Sequence, residues 1–122
     1  MQENREVMIQ AQELMQTIHE AVDHMIKQLE ELRYEETIQL LEDVVKGTES
    51  VQMALLPLAE EEEASKLQSL HKDLMEKVDK YLDFYRDKEH EAMKEQMSMA
   101  IVESLKKWHR EMEELIKPHI DH

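Results

Sequence analysis

Across 122 residues the chain offers its backbone one glycine, Gly47, and two prolines, Pro57 and Pro118. A fold with many tight turns needs residues that accept positive φ or pre-set a bend, so this supply leaves no room for a many-stranded sandwich or barrel. It also leaves no glycine-rich loop to cradle a phosphate. Long helices with few connections are what such a chain can still build. The absence of cysteine further removes disulfide frameworks, thiolate-bound zinc, iron–sulfur clusters and thiol nucleophiles.

Apolar residues recur at helical spacing throughout. With about 100° of rotation per residue, Val7, Ala11, Leu14, Met15, Ile18, Ala21, Val22, Met25, Ile26, Leu29 and Leu32 share one face, which predicts a helix over 4–32. A second face, Tyr34, Ile38, Leu41, Val44, Val45, Thr48, Val51 and Leu55, has its centre rotated by roughly 100° from the first. The phase jump predicts a break near Leu32–Tyr34, although neither glycine nor proline stands there, and a helix over 35–55. Pro57 stops that helix, and Glu60–Glu63 place four carboxylates at the positive end of a new helix dipole.

The third helix, 60–85, carries Leu67, Leu70, Leu74, Met75, Val78, Tyr81, Leu82 and Tyr85. The phase slips again near Arg86–Lys88, where Asp87 is placed to cap the N-terminus of a fourth helix. That helix, 88–117, bears Met93, Met97, Ala100, Ile101, Leu105, Trp108, Met112, Leu115 and Ile116, and Pro118 is expected to end it. Four amphipathic helices with short connections predict one all-α domain over 1–122, an up-down-up-down antiparallel four-helix bundle. The alternative is a pair of helical hairpins that dimerise into a four-helix core.

The formal net charge is −14, and residues 1–63 hold 16 acidic against 4 basic side chains. Such a field repels nucleic-acid phosphates and anionic lipid heads, so neither nucleic acid nor membrane is expected as a partner. No stretch approaches the ~18 apolar residues of a membrane span. Residues Met1–Glu6 resemble neither a signal nor a transit peptide, so the expected location is the cytoplasm. The one basic cluster, Lys106-Lys107-Trp108-His109-Arg110, has its tryptophan on the apolar face and its cations pointing away, as in a core Trp with solvated neighbours.

Seven histidines among many carboxylates raise the question of metal. Di-iron bundles repeat Glu-x-x-His on two helices; here Asp87-x-x-His90 occurs once, and His19 and His24 are five apart, pointing in directions about 140° different. His119 and His122 could take a metal adventitiously at the terminus. No metal and no cofactor is therefore expected. Counting 1.5 Å of rise per residue from the turns brings Thr48, His71 and Ser104 to one height, with His19 at the flank, which predicts a polar layer in the core. The layer is expected to fix register through hydrogen bonds at some cost in stability. The alternative is that a neutral, buried His71 resists protonation and the bundle loosens as pH falls through about 6. His90 is expected to lie beside Tyr34, Tyr81 and Tyr85, capped by phenol hydroxyls.

Ten methionines are many for this length. Met93, Met97, Met99 and Val102 form the candidate partner-contact stretch, since flexible thioethers suit surfaces that accept varied apolar partners. Met93 and Met97 also follow the core face, whereas Met99, Val102, Ile9 and Met53 fall off their faces. Ser50, Ser65, Ser69, Ser98 and Ser104 lie in helical patterns with no strained elbow, and no carboxylate pair stands out. No catalytic residue is assigned, and no small-molecule substrate is indicated.

The stretch Leu29-Glu30-Glu31-Leu32-Arg33-Tyr34-Glu35-Glu36-Thr37-Ile38-Gln39-Leu40-Leu41 resembles the helical junction of small bacterial flagellar export chaperones and, more loosely, tetratricopeptide-type hairpins. The whole chain is also similar to short, acidic, uncharacterised helical proteins of Gram-positive bacteria. The chaperone resemblance implies a client helix held in a groove, and neither resemblance supplies a residue with a known role. The expected function is a non-enzymatic bundle acting through a protein partner or self-association as an adaptor or regulator. An export-chaperone-like binder and a His/carboxylate metal-binding bundle are the alternatives.

Overall fold

The computed structural model describes residues 2–120 of the chain, with side chains from Asn4. Helix α1 spans Gln2–Glu30, α2 Tyr34–Leu55 and α3 Glu61–Arg86, with a single 3₁₀ turn, Leu56–Leu58, between the last two. A final helix, α4, runs as an α segment His90–Glu95, a π segment Gln96–Ile101 and an α segment Val102–Ile120. Among the described residues there is no strand. Consecutive helices are antiparallel neighbours, and α4 closes the ring by packing on α1 as well as α3. The fold is an all-α four-helix bundle.

The chain ends two helices without glycine. At the end of α1 the Leu32 N–H bonds the Leu29 carbonyl at 3.1 Å and the Arg33 N–H reaches back to Gln28 O at 2.8 Å. This is the Schellman pattern, which satisfies orphan carbonyls by placing one residue in the left-handed region. That residue is Leu32, at φ 63°. The end of α3 repeats the device: Lys88 N–H bonds Tyr85 O at 3.1 Å, Glu89 N–H bonds Phe84 O at 2.9 Å, and Lys88 has φ 57°. Both phase jumps in the sequence are these two turns. Asp87 is consequently the C-cap of α3 and not the N-cap of the next helix, whose N-cap, Glu89, makes no side-chain capping bond. Leu32, assigned by periodicity to the first apolar face, stands 66% exposed because the left-handed turn swings it off that face.

At the other end Pro57 lies in the 3₁₀ turn, and the Glu60 N–H donates to Glu63 Oε1 at 3.1 Å as α3 begins. Pro118 does not stop α4, which continues to Ile120. A proline in the last turn removes only its own bond to the preceding turn, and Ile120 still packs against the core.

Every helix contributes to one core, including Met15 and Met25 from α1, Leu41 and Leu55 from α2, Leu67 and Tyr81 from α3, and Met97 and Trp108 from α4. Met8, Thr37 and Gln52 are buried although they lie outside the expected faces. Gly47 sits where α2 meets α1; a Cβ there would stand 3.1 Å from the Ile18 side chain, so the glycine permits the close approach of these two helices.

The π segment answers a spacing that an α-helix cannot hold. Met93, Met97, Ile101 and Leu105 are all buried and four residues apart. Each such step over-rotates an α-helix by about 40°, so three steps would set Leu105 roughly 120° from Met93 and spread the stripe. The π turn bonds i to i+5 and takes up the excess; Val102 N–H accordingly reaches Met97 O.

A left-handed non-glycine residue costs about 1 kcal/mol relative to glycine. Leu32→Gly and Lys88→Gly should therefore each raise unfolding stability by about 0.5–1 kcal/mol, read from urea denaturation midpoints at unchanged slope. A loss of stability in both would contradict this account of the turns.

Candidate functional site

Trp108, fully buried, donates from Nε1 to Gln52 Oε1 at 2.8 Å, tying α4 to α2 across the core. Around it lies a belt of polar contacts at mid-height. Thr48 Oγ1 donates to the Val45 carbonyl at 2.9 Å, so its one proton is used. His71 Nε2, 3.1 Å from the same oxygen, must then be the donor. The His71 ring also lies 6.2 Å from that of Trp108, tilted by 51°.

Of the four residues expected in the polar layer, the structure joins only Thr48 and His71. Ser104 is buried at the expected height but donates to Asp73 Oδ2 at 2.8 Å. The neighbouring carboxylate is the better acceptor, and Lys77 Nζ holds its other oxygen at 2.9 Å. These two bonds keep the Asp73 carboxyl below the usual range. His19 turns to α4 instead of the layer, with Nε2 2.6 Å from His109 Nδ1. His109 Nε2 in turn lies 3.2 Å from Glu113 Oε1. Gln12 Nε2 donates to Glu113 Oε2 at 3.1 Å. Sequence reasoning set His109 aside as part of a solvated basic cluster; its half-buried position between Trp108 and the α1 surface is a product of packing.

His71 is only half-buried, where full burial was expected. Burial still lowers its pKa, partly opposed by the charge of Glu49. Burial also lowers that of His19, followed by the effect of His109, with Asp23 raising it and Lys106 lowering it further. His90 is exposed and stacks flat on Tyr34, centroids 3.8 Å apart at 9°, so it is not capped by phenol hydroxyls. The Tyr81 hydroxyl is 2.7 Å from Thr37 Oγ1, whose proton goes to the Tyr34 carbonyl. Tyr81 is therefore the donor. Among the described residues no three His, Asp or Glu side chains converge to hold a metal. Of the terminal histidine pair, His122 lies outside the described residues.

The expected partner stretch divides. Met93 and Met97 are wholly buried because they lie on the same stripe as Ile101 and Trp108, so they offer no contact surface. Val102 is half-buried and packs against the core. Met99 is exposed at 67%, as are Met53 at 77% and Ile9 at 37%. An open groove lies at the end where the two Schellman turns meet. The groove, of about 920 Å³, is lined by Leu32, Arg33, Tyr34, Tyr85, Lys88 and His90 among others. Arg33 is committed to Glu31 and Glu36, whereas Lys88 makes no ion pair among the described residues.

A model of a protein family described as a domain of unknown function, DUF8042, matches residues 6–111. The chain belongs to this family. No curated protein and no solved structure matches it. The matched span of the DUF8042 domain contains both left-handed turns, the groove residues, Trp108 and the His19–His109 pair; Glu113 lies just beyond it.

Because folding lowers the pKa of His71 and His19, the native state favours their neutral forms. Their contribution is complete above pH 6.5 and declines as pH falls through 6.5 towards the lower folded values. Urea-unfolding stability should therefore drop between pH 7.5 and 5.5, by up to about 1.4 kcal/mol per pH unit for each histidine that takes up a proton on unfolding. His71→Leu should flatten part of that drop. Parallel pH profiles for the variant and the unmodified chain would remove His71 from the explanation.

Proposed function

We propose that this chain is a non-enzymatic adaptor or regulator that works in the cytoplasm by holding a protein partner at the turn end of the bundle. One observation carries the reading: Leu32, a large apolar side chain, is held 66% exposed in a left-handed conformation at the rim of the groove. Glycine would fill that turn with less strain, and burying a leucine side chain against a partner is worth about 1.5–3 kcal/mol. Strain retained at an exposed apolar residue fits a contact completed by another molecule. Tyr34, Tyr85 and the flat His90 ring give that contact an aromatic floor, and Lys88 offers a cation to an acidic residue beside the partner's apolar anchor.

The net charge of −14 disfavours nucleic acid and an anionic lipid surface as partners. No helix of the described residues is long and apolar enough to cross a membrane. Taking a client helix on Met93 and Met97, as the export-chaperone resemblance implies, would require α4 to leave the bundle and carry Trp108 out of the core. The turn end needs no such opening.

A photo-crosslinking side chain introduced at Leu32 should trap the partner in cells of the source organism, while the same group at the more exposed Met53 should not. With the crosslinking side chain placed instead at Lys88 on the same groove, Leu32→Gly should abolish capture and leave the fold intact. Equal crosslinking at both positions, or a Leu32→Gly variant that still captures the partner, would sink the reading. A product at twice the chain mass identifies self-association.

A further inference from the structure

The contact between His19 of α1 and His109 of α4 differs from the rest of the belt, because two imidazole nitrogens on different helices face each other, 2.6 Å apart. The far nitrogen of His109, Nε2, meets Glu113 Oε1 at 3.2 Å. The second oxygen of that carboxylate accepts from Gln12 Nε2 at 3.1 Å. An ionised Glu113 can only accept, so the proton of a neutral His109 sits on Nε2 and its Nδ1 lone pair points at His19. A carboxylate on the far N–H is the usual support of a metal-binding histidine, fixing its tautomer and raising its basicity. Neither His71, bonded to Thr48, nor His90, stacked on Tyr34, faces a second imidazole.

We propose that His19 Nε2 and His109 Nδ1 are the two protein ligands of a site for a divalent transition-metal ion such as zinc, oriented by Glu113 and Gln12, with water completing the coordination. In the metal-free pair His19 donates its Nε2 proton to His109. The other neutral tautomer of His19 carries that proton on Nδ1, which leaves two lone pairs converging on one point. Zinc–nitrogen bonds of about 2.0–2.1 Å separate two imidazole nitrogens by roughly 3.3 Å in a tetrahedral site. The present separation must open by less than 1 Å, a movement open to two half-buried side chains. The Asp23 charge near His19 and the Glu113 carboxylate favour a cation there, against the opposing charge of Lys106. Once bound, the ion would pin α1 to α4, so it stabilises the fold increasingly as free ion rises above its dissociation constant.

Zinc chloride titrated into the full chain, prepared without an affinity tag, should bind at one ion per chain and raise the melting temperature. The effect should be weaker at pH 6 than at pH 7.5, where protons compete less. In imidazole NMR spectra of the unmodified chain the His19 and His109 signals should move, with those of His71 and His90 unmoved. His19→Ala and His109→Ala should each abolish the melting shift, and Glu113→Gln should weaken binding by about 10- to 100-fold. His119→Ala should change nothing. No melting shift at millimolar zinc, a shift undiminished in His19→Ala, or a response lost only in His119→Ala would overturn the proposal. Should the alanine variants not fold, unmoved His19 and His109 signals in the unmodified chain overturn it equally.

Discussion

The burial of Trp108 sets the terms for the rest of the bundle. An indole N–H without an acceptor in a core is costly, by about 1–3 kcal/mol, and here the acceptor is Gln52 on α2. That single bond fixes the height of α4 against α2. With the register set, Thr48 comes level with His71, Ser104 with Asp73, and His109 with His19. The polar belt thus links α2 to α3, α3 to α4 and α4 to α1. The remaining pair, α1 with α2, is joined differently, by backbone approach at Gly47 against Ile18. Apolar stripes alone would tolerate slippage along the bundle; hydrogen bonds with one geometry do not.

The π segment and the left-handed turns are two local departures that this register requires. The first draws Met93, Met97, Ile101 and Leu105 into one narrow buried stripe, which a regular helix would spread over roughly 120°. The second places both hairpin closures at one end with non-glycine residues, which leaves Leu32 and Lys88 projecting around one groove. Core order and surface opportunity therefore have a common origin: helices held at fixed heights must end where the register puts them, whichever residue stands there.

Much of the architecture was legible because amphipathic periodicity and the near absence of glycine and proline leave few folds. The breaks near Leu32 and Lys88 showed as phase jumps, yet the motif behind them was hidden, since a Schellman turn is ordinarily signalled by glycine. Asp87 was misplaced for the same reason. The run Met93, Met97, Ile101, Leu105 held the signal for the π segment in its repeated spacing of four. At the candidate site, rise per residue brought Thr48 to His71. It could not show that Ser104 would choose Asp73 or that His19 would choose His109, because such choices depend on rotation about each helix axis as well as height.

By itself the sequence determined four helices, their faces, their approximate ends and a charge that disfavours polyanions, since each follows from local periodicity or from counting. Only the tertiary structure decided which polar side chains meet, that Leu32 stands outside the core, and that His109 belongs to the α1–α4 contact. Those outcomes turn on differences of an ångström or two and some tens of degrees between packed helices, set by Trp108, Gly47 and the π turn acting together. No single stretch of sequence carries that information.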